Sequence, residues 1–309
     1  MELRIFVEPQ EGATYEQQLA MAQAAESHAF GAFFRSDHLL RIKPGPGAPG
    51  PTDSWVTLGA LARETSTIRL GTMVTSATFR LPGPLAVAVA QVDAMSGGRI
   101  EVGVGTGWFE GEHTAYGVPF PPIGERFDRL EEQLAILTGL WATPVEDRFS
   151  FRGAHYTLTD SPALPKPLQR PHPPVIVGGL GVRRTPAMAA RFASEFNVPF
   201  TPVDMTGEQF RRVKAACEAA GRDPDELDYS HAVTVCCGEN ETELQQRASR
   251  IGRDLDDLRR SGAAGTPEEV IARLAEYGKA GASRSYLQVI DMDDFDHIAL
   301  IAAEVAPHL

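Results

Sequence analysis

Short apolar runs alternate with longer helix-forming stretches along almost the whole chain. "LRIFV" (3–7), "AFFR" (32–35), "IRLGTMV" (68–74) and "IEVGVG" (100–105) read as buried strands. So do "VIVGG" (175–179), "EFNVPF" (195–200), "SHAVTVCCG" (230–238) and "RSYLQVI" (284–290). The intervening segments predict helices over 15–29, 55–65, 84–96, 124–142, 183–193, 206–221, 241–260, 267–281 and 295–306. Pro84 suits a first helical turn and Gly97–Gly98 a helix end. Strands that alternate with helices form a parallel sheet, because a parallel crossover needs a helix to return the chain. Eight such units in 309 residues predict an α/β fold of the closed (β/α)₈ type, a TIM barrel. An open doubly wound sheet is the alternative. It would place a glycine-rich dinucleotide turn after its first strand, where this chain has "EPQEGATY". The rhythm breaks over about 143–173, where "FSFRGAHYTL" predicts a hairpin and "PALPKPLQRPHPP" a Pro-rich connection. That stretch is expected to be an insertion in one domain spanning 1–309.

Composition narrows the class. The chain is 43% hydrophobic and 23% charged, as expected of a globular protein with a sizeable core. A net charge of -12 without a dense Lys/Arg run argues against nucleic-acid binding. No run reaches the length of a membrane span, and "MELRIFVEPQEG" lacks the features of a signal peptide. Of three cysteines, Cys236 and Cys237 would point to opposite faces of a strand, so neither a disulfide nor a metal pair is expected there. A reducing, cytoplasmic location follows as the simple expectation. No HExxH, CxxC or clustered histidine pattern points to a metal.

In a (β/α)₈ barrel the chemistry lies at the carboxyl ends of the strands. The residues that follow each apolar run are therefore the candidates. They are Glu8 after the first strand, Ser36, Asp37 and His38 after the second, and Val74, Ser76 and Thr78 after the third. Thr106, Gly107 and Trp108 follow the fourth, Gly178, Gly179 and Gly181 the fifth, and Asn197 the sixth. Asp37 beside His38 fits either a ligand-facing pair or local capping of a turn. Glycines in "VGVGTGW" would let a ligand approach the backbone, or simply make a turn. "VGGLGVRRTP" leaves amides free before a helix, with Arg183 and Arg184 adjacent, which favours an anion such as phosphate. The Pro/Gly-rich loop 43–52 is either a cover for this rim or a plain connection.

"FFRSDH", "LGTMVTSATFRLPGPLAVAVAQVDAMSGGRIEVGVGTGW", "EHTAYGVPFPPIGERFDRLEEQLAIL", "PKPLQRPHPPVIVGG" and "GRDPDEL" together resemble the luciferase-like monooxygenase superfamily. More narrowly they resemble its branch of oxidoreductases dependent on the deazaflavin coenzyme F420. The resemblance covers almost the whole chain and implies a (β/α)₈ barrel with insertions. It implies that Asp37 contacts the cofactor and that His38 acts at the reacting carbon or as an acid/base. It implies a non-proline cis peptide at Met73–Val74 behind the ring. It also implies cofactor contacts from Ser76, Thr106, Gly107, Gly178, Gly179, Gly181 and Val182. Sugar-phosphate dehydrogenases of the superfamily carry a glutamate after "GVGTG" and a tryptophan soon after the histidine. This chain has Trp108 at the first place and lies near Ile42 at the second, which argues against a sugar phosphate. Glu8, Trp108 and Glu112 are the substrate-side candidates, with Glu110 and His113 as further possible acids.

The expected function is hydride transfer between F420 and a small organic substrate. An FMNH2- and O2-dependent monooxygenase is the alternative, and a non-catalytic flavin-binding barrel a third. An aldolase-type barrel is disfavoured, because this chain places no lysine at a late strand end to form a Schiff base. Pairing as a homodimer is a further expectation of the resemblance.

Overall fold

The computed structural model describes residues 1–42, 45 and 47–309. Eight parallel strands close into a ring. In spatial order these are β1 (Glu2–Val7), β2 (Ala32–Arg35), β3 (Arg69–Ser76), β4 (Ile100–Gly105), β7 (Val175–Gly178), β8 (Glu195–Pro199), β9 (Asp228–Cys237) and β11 (Arg284–Gln288). Closure is completed by the parallel pairs β8–β9, from Glu195 opposite Asp228, and β1–β11, from Glu2 opposite Arg284. The hairpin β5 (Phe149–Arg152) and β6 (Thr157–Ser161) lies outside the ring, as the sequence pattern predicts. Glu132 holds it by accepting from the amides of Ala154, His155 and Tyr156.

Helices α1 (Tyr15–Ser27), α2 (Ser54–Glu64), α3 (Pro82–Ser96), α5 (Ile123–Ala142), α6 (Arg184–Phe192), α7 (Val203–Ala219), α10 (Pro267–Lys279) and α11 (Phe295–Leu300) follow the eight strands. Outward strand residues such as Leu3, Ile5, Leu70 and Val102 pack on helix residues such as Leu58 and Val89 in one continuous core. Three segments differ from the sequence reading. The helix expected over 241–260 is two, α8 (Glu241–Arg250) and α9 (Leu255–Ser261). Gly252, at φ 64, turns the chain, and the Asp254 carboxylate caps α9 by accepting from the Asp257 amide. A three-residue strand, β10 (Ala263–Gly265), pairs with the end of β9 and is too short and too small in side chain to show a period. The last helix passes into a π turn at Ile301–Val305.

The barrel interior is layered by the alternation of each strand. The lowest layer is ionic. Arg4, 1% exposed, donates to Glu101 Oε2 at 2.6 Å and to the Tyr286 hydroxyl at 3.0 Å, and lies 3.7 Å from Glu195. Arg69 and Arg284 bind the same two carboxylates from the edge. Burial opposes the charge on Glu101, but Arg4 and Arg69 hold its carboxyl below the usual range. Burial, with the like charge of Glu101, pushes Glu195 the other way, against the pull of Arg4 and Arg284. Above this layer Phe6, Ala32, Phe34, Ile176, Ala232 and Tyr286 form a separate apolar plug. Above the plug the barrel opens. Among the described residues, no helix is long and apolar enough to cross a membrane.

The plug's ionic base should be indispensable. Arg4→Met leaves Glu101 and Glu195 buried without their shared cation, and is expected to lower the unfolding free energy by about 3–5 kcal/mol. Urea denaturation measures it. Adding Glu101→Gln and Glu195→Gln should recover much of the loss. A midpoint for Arg4→Met equal to wild type would contradict the role given to this layer.

Candidate active site

The cavity above the plug has a volume of about 930 Å³, near the upper end of the roughly 300–1,000 Å³ usual for small-molecule sites. The strand ends build its walls. Phe6 and Glu8 come from β1, and Asp37 and His38 follow β2. Met73, Val74 and Ser76 belong to β3, whose register slips between Thr72 and Thr75. The Met73–Val74 peptide in that bulge is cis, where the resemblance implied it. Gly103 is required there, since a Cβ would overlap the Thr72 carbonyl oxygen.

His38 is the titratable centre of the rim. Its Nδ1 lies 3.1 Å from each oxygen of Glu112, and the Leu39 amide donates to the same carboxylate at 2.9 Å. Glu112 stands on α4 (Glu110–Ala115), a short helix that the sequence reading did not separate from its loop. A carboxylate accepts, so Nδ1 carries a proton and Nε2 is left for the cavity. Burial disfavours the charged ring, but the Glu112 hydrogen bond and the charges of Glu112, Glu8 and Asp37 outweigh it and raise His38 above its ordinary value. Trp108, 61% exposed, meets the His38 ring edge-on at 5.6 Å and stacks on Phe109 at 5.4 Å.

Asp37 lines the same wall and has a cation partner inside the protein. Its carboxylate is buried and accepts from Arg80 at 3.1 and 3.3 Å, and Arg80 reaches on to Asp53 at 2.9 Å. Asp53 in turn caps α2 by accepting from Trp55 and Val56. The preceding Arg35 points outward from the barrel and donates to Gln18, Ser36, Thr52 and Thr57, all neutral oxygens. Burial there lowers its guanidinium to about 10. The run "FFRSDH" therefore fixes a wall on one side and presents His38 on the other.

The opposite wall is backbone. Gly105, Thr106 and Gly107 line the cavity, as do Gly178 and Gly179, with Leu180 where the sequence reading expected Gly181. A Cβ at Gly181 would meet Thr185 and Phe127, and Val182 is exposed outside the cavity lining. Arg184 is engaged by Asp128 at 2.7 Å and by Glu131 at 3.3 Å, so its charge is already matched. α6 begins without a side-chain cap. On the far side Glu8 accepts from Gln288 Nε2 at 2.7 Å, and Thr234 donates to Gln288 Oε1 at 2.5 Å. Gln288, Thr234 and Phe200 were missed in the sequence. Thr234 and Gln288 continue the inward series 230, 232, 234 and 284, 286, 288, so a strict period-2 reading would have found them. Glu110 is exposed on α4 and does not line the cavity, and His113 is buried behind the wall. In the loop 43–52, positions 43, 44 and 46 lie outside the described residues. Among the described residues no group of three or more His, Cys, Asp or Glu side chains is gathered to hold a metal.

The family model described as luciferase-like monooxygenase matches residues 1–256. An FMNH2-dependent dimethylsulfone monooxygenase of Pseudomonas putida is 32% identical over 273 residues, 85% of this chain and 67% of that one. An F420-dependent glucose-6-phosphate dehydrogenase of Nakamurella multipartita is 35% identical over 216 residues, 67% of this chain and 60% of its own length. The solved structure of a monooxygenase of Streptomyces bottropensis superposes with a TM-score of 0.84 at 26% identity, covering 100% of this chain and 99% of that one. With its eight parallel strands closed into a barrel and the family model matched over residues 1–256, the chain belongs to the luciferase-like monooxygenase family.

Proposed function

We propose that this chain is an oxidoreductase that transfers a hydride between coenzyme F420 and a small organic substrate. The observation that carries the reading is His38, held through Nδ1 by the buried Glu112, with Nε2 left toward a large cavity. The residues suit a tricyclic cofactor. Met73 and Val74 offer an apolar surface at a bulge, and the main chain at Gly105–Gly107 and Gly178–Leu180 is bare enough for close approach. The cofactor, when bound, supplies the hydride chemistry. The chain's own part is to orient and to handle the proton. His38 holds a proton at Nε2 in its charged form and delivers it to a developing alkoxide, or accepts it in the reverse direction. Trp108 and Phe109 stand edge-on to the His38 ring at 5.6 and 6.4 Å and shield one side of it from water. Of the arginines in the lining, Arg41 is paired with Glu11 and Arg250 with Asp291, which leaves Arg253 as the cation that could meet a charged group of a ligand.

A second reading, an FMNH2- and O2-dependent monooxygenase, is favoured by one observation. The FMNH2-dependent relative is 32% identical over 85% of this chain, a higher identity than the 27% of an F420-dependent glucose-6-phosphate dehydrogenase of Kineococcus radiotolerans that spans 93% of it. Titrating the purified protein with F420 and with FMN separates the two. The F420 reading expects tight F420 binding and oxidation of reduced F420 by simple ketones or aldehydes without oxygen uptake. Tight binding of FMN alone, with oxygen consumed, would replace it by the second. His38→Ala should keep cofactor affinity and lower turnover by roughly 10²–10⁴-fold, and unchanged turnover would remove His38 from the chemistry.

The His38–Glu112 pair also sets a pH dependence. The folded protein holds the His38 proton more tightly than the unfolded chain. Its contribution to stability is thus complete below about pH 6.5, the unfolded histidine value, and is lost as pH rises through the higher folded value. Glu112→Gln should lower the His38 midpoint in an NMR titration and destabilise the protein more on the acid side than at alkaline pH. An unmoved midpoint would show that Glu112 does not support the charged ring.

A further inference from the structure

Three short contacts lead from the cavity wall into the protein. Ser76 Oγ lies 2.6 Å from Thr78 Oγ1, Thr78 Oγ1 lies 2.6 Å from His113 Nε2, and His113 Nδ1 lies 2.7 Å from the Phe109 carbonyl oxygen. His113 is fully buried, between the rings of Phe79 at 4.8 Å and Phe120 at 4.5 Å. The direction of the chain follows from its far end. A carbonyl oxygen only accepts, so Nδ1 carries a proton. In the neutral form a ring with Nδ1–H presents a lone pair at Nε2, and Thr78 then donates to it. The single Thr78 proton is then committed, so Thr78 accepts from Ser76. The Ser76 proton in turn points into the wall, and only lone pairs remain toward the cavity. Gly107, at φ 76, completes the arrangement, because a Cβ there would strike Ser76 Oγ. Arg126 pins that glycine by donating to its carbonyl oxygen.

We propose that His113 acts as a positioning residue that fixes Ser76 as a hydrogen-bond acceptor, so that the wall between Ser76 and Gly107 takes a hydroxyl or ring N–H donor of the bound ligand and disfavours an anionic oxygen. The identity of that ligand rests on the flavin or deazaflavin reading above. The relay itself does not.

Two measurements test it. Imidazole ¹⁵N spectra of the ligand-free protein should show His113 protonated at Nδ1 and bare at Nε2. A proton on Nε2 would overturn the relay. Binding is then read with riboflavin and with lumiflavin, which keeps the ring N–H but lacks the hydroxylated chain, and with their 5-deaza analogues. Ser76→Ala should weaken riboflavin or its deaza analogue about tenfold, the worth of one hydrogen bond. If the donor is a chain hydroxyl, the lumiflavin pair should be unaffected. An equal loss for both pairs assigns the donor to the ring. Thr78→Val should weaken binding severalfold, with Thr78→Ser restoring it. Full affinity in both Ser76→Ala and Thr78→Val would overturn the proposal. Failure of all four ligands to bind the wild-type protein would overturn the cofactor reading instead, while the imidazole spectrum still decides the relay.

Discussion

One guanidinium sits where the barrel would otherwise be weakest. Arg4 bridges Glu101 and Glu195, from strands on the far side of the ring, and reaches the Tyr286 hydroxyl beside it. Two buried carboxylates cannot both stay charged side by side without such a cation. Their pairing sets the floor on which Phe6, Phe34 and Tyr286 pack, and that packing sets the height at which the cavity begins. The chemistry at the rim is thus levelled by an ion cluster at the opposite end of the same strands.

The rim shows a division of labour on a single short helix. Glu112 and His113 are neighbours on α4, yet they serve different walls. Glu112 turns to His38 after β2, and His113 turns to Thr78 after β3. One imidazole is left with a nitrogen for the cavity, and the other has both nitrogens engaged within the protein. A helical turn of six residues therefore fixes the proton arrangement of two loops that are remote from it in sequence.

The ring of eight strands was legible because each strand is a short, largely apolar run followed by a helix-forming segment. Inward polar residues such as Arg4 and Glu101 did not hide those runs, since each is flanked by aliphatic neighbours. The break between α8 and α9 was not legible, because "SRIGRDLDD" keeps helix-forming residues around its lone glycine. At the site, rim residues such as His38, Ser76 and Gly107 could be read from their place after a strand. Their partners could not. Arg80 meets Asp37 across 43 positions and Glu112 meets His38 across 74, and only the closed ring brings such distant segments together. For the same reason the ion pair of Asp37 with Arg80 could not be read from the run that carries Asp37.

The turn between α8 and α9 brings Ile251 and Arg253 to the cavity, beside Ser261 and Asp291. It hangs from the ring by β9 and β10 and shares none of the hydrogen bonds of His38, Asp37 or Ser76. The entrance is consequently modular. Its length and charge can drift, admitting bulkier or differently charged molecules, while the machinery beneath keeps its alignment.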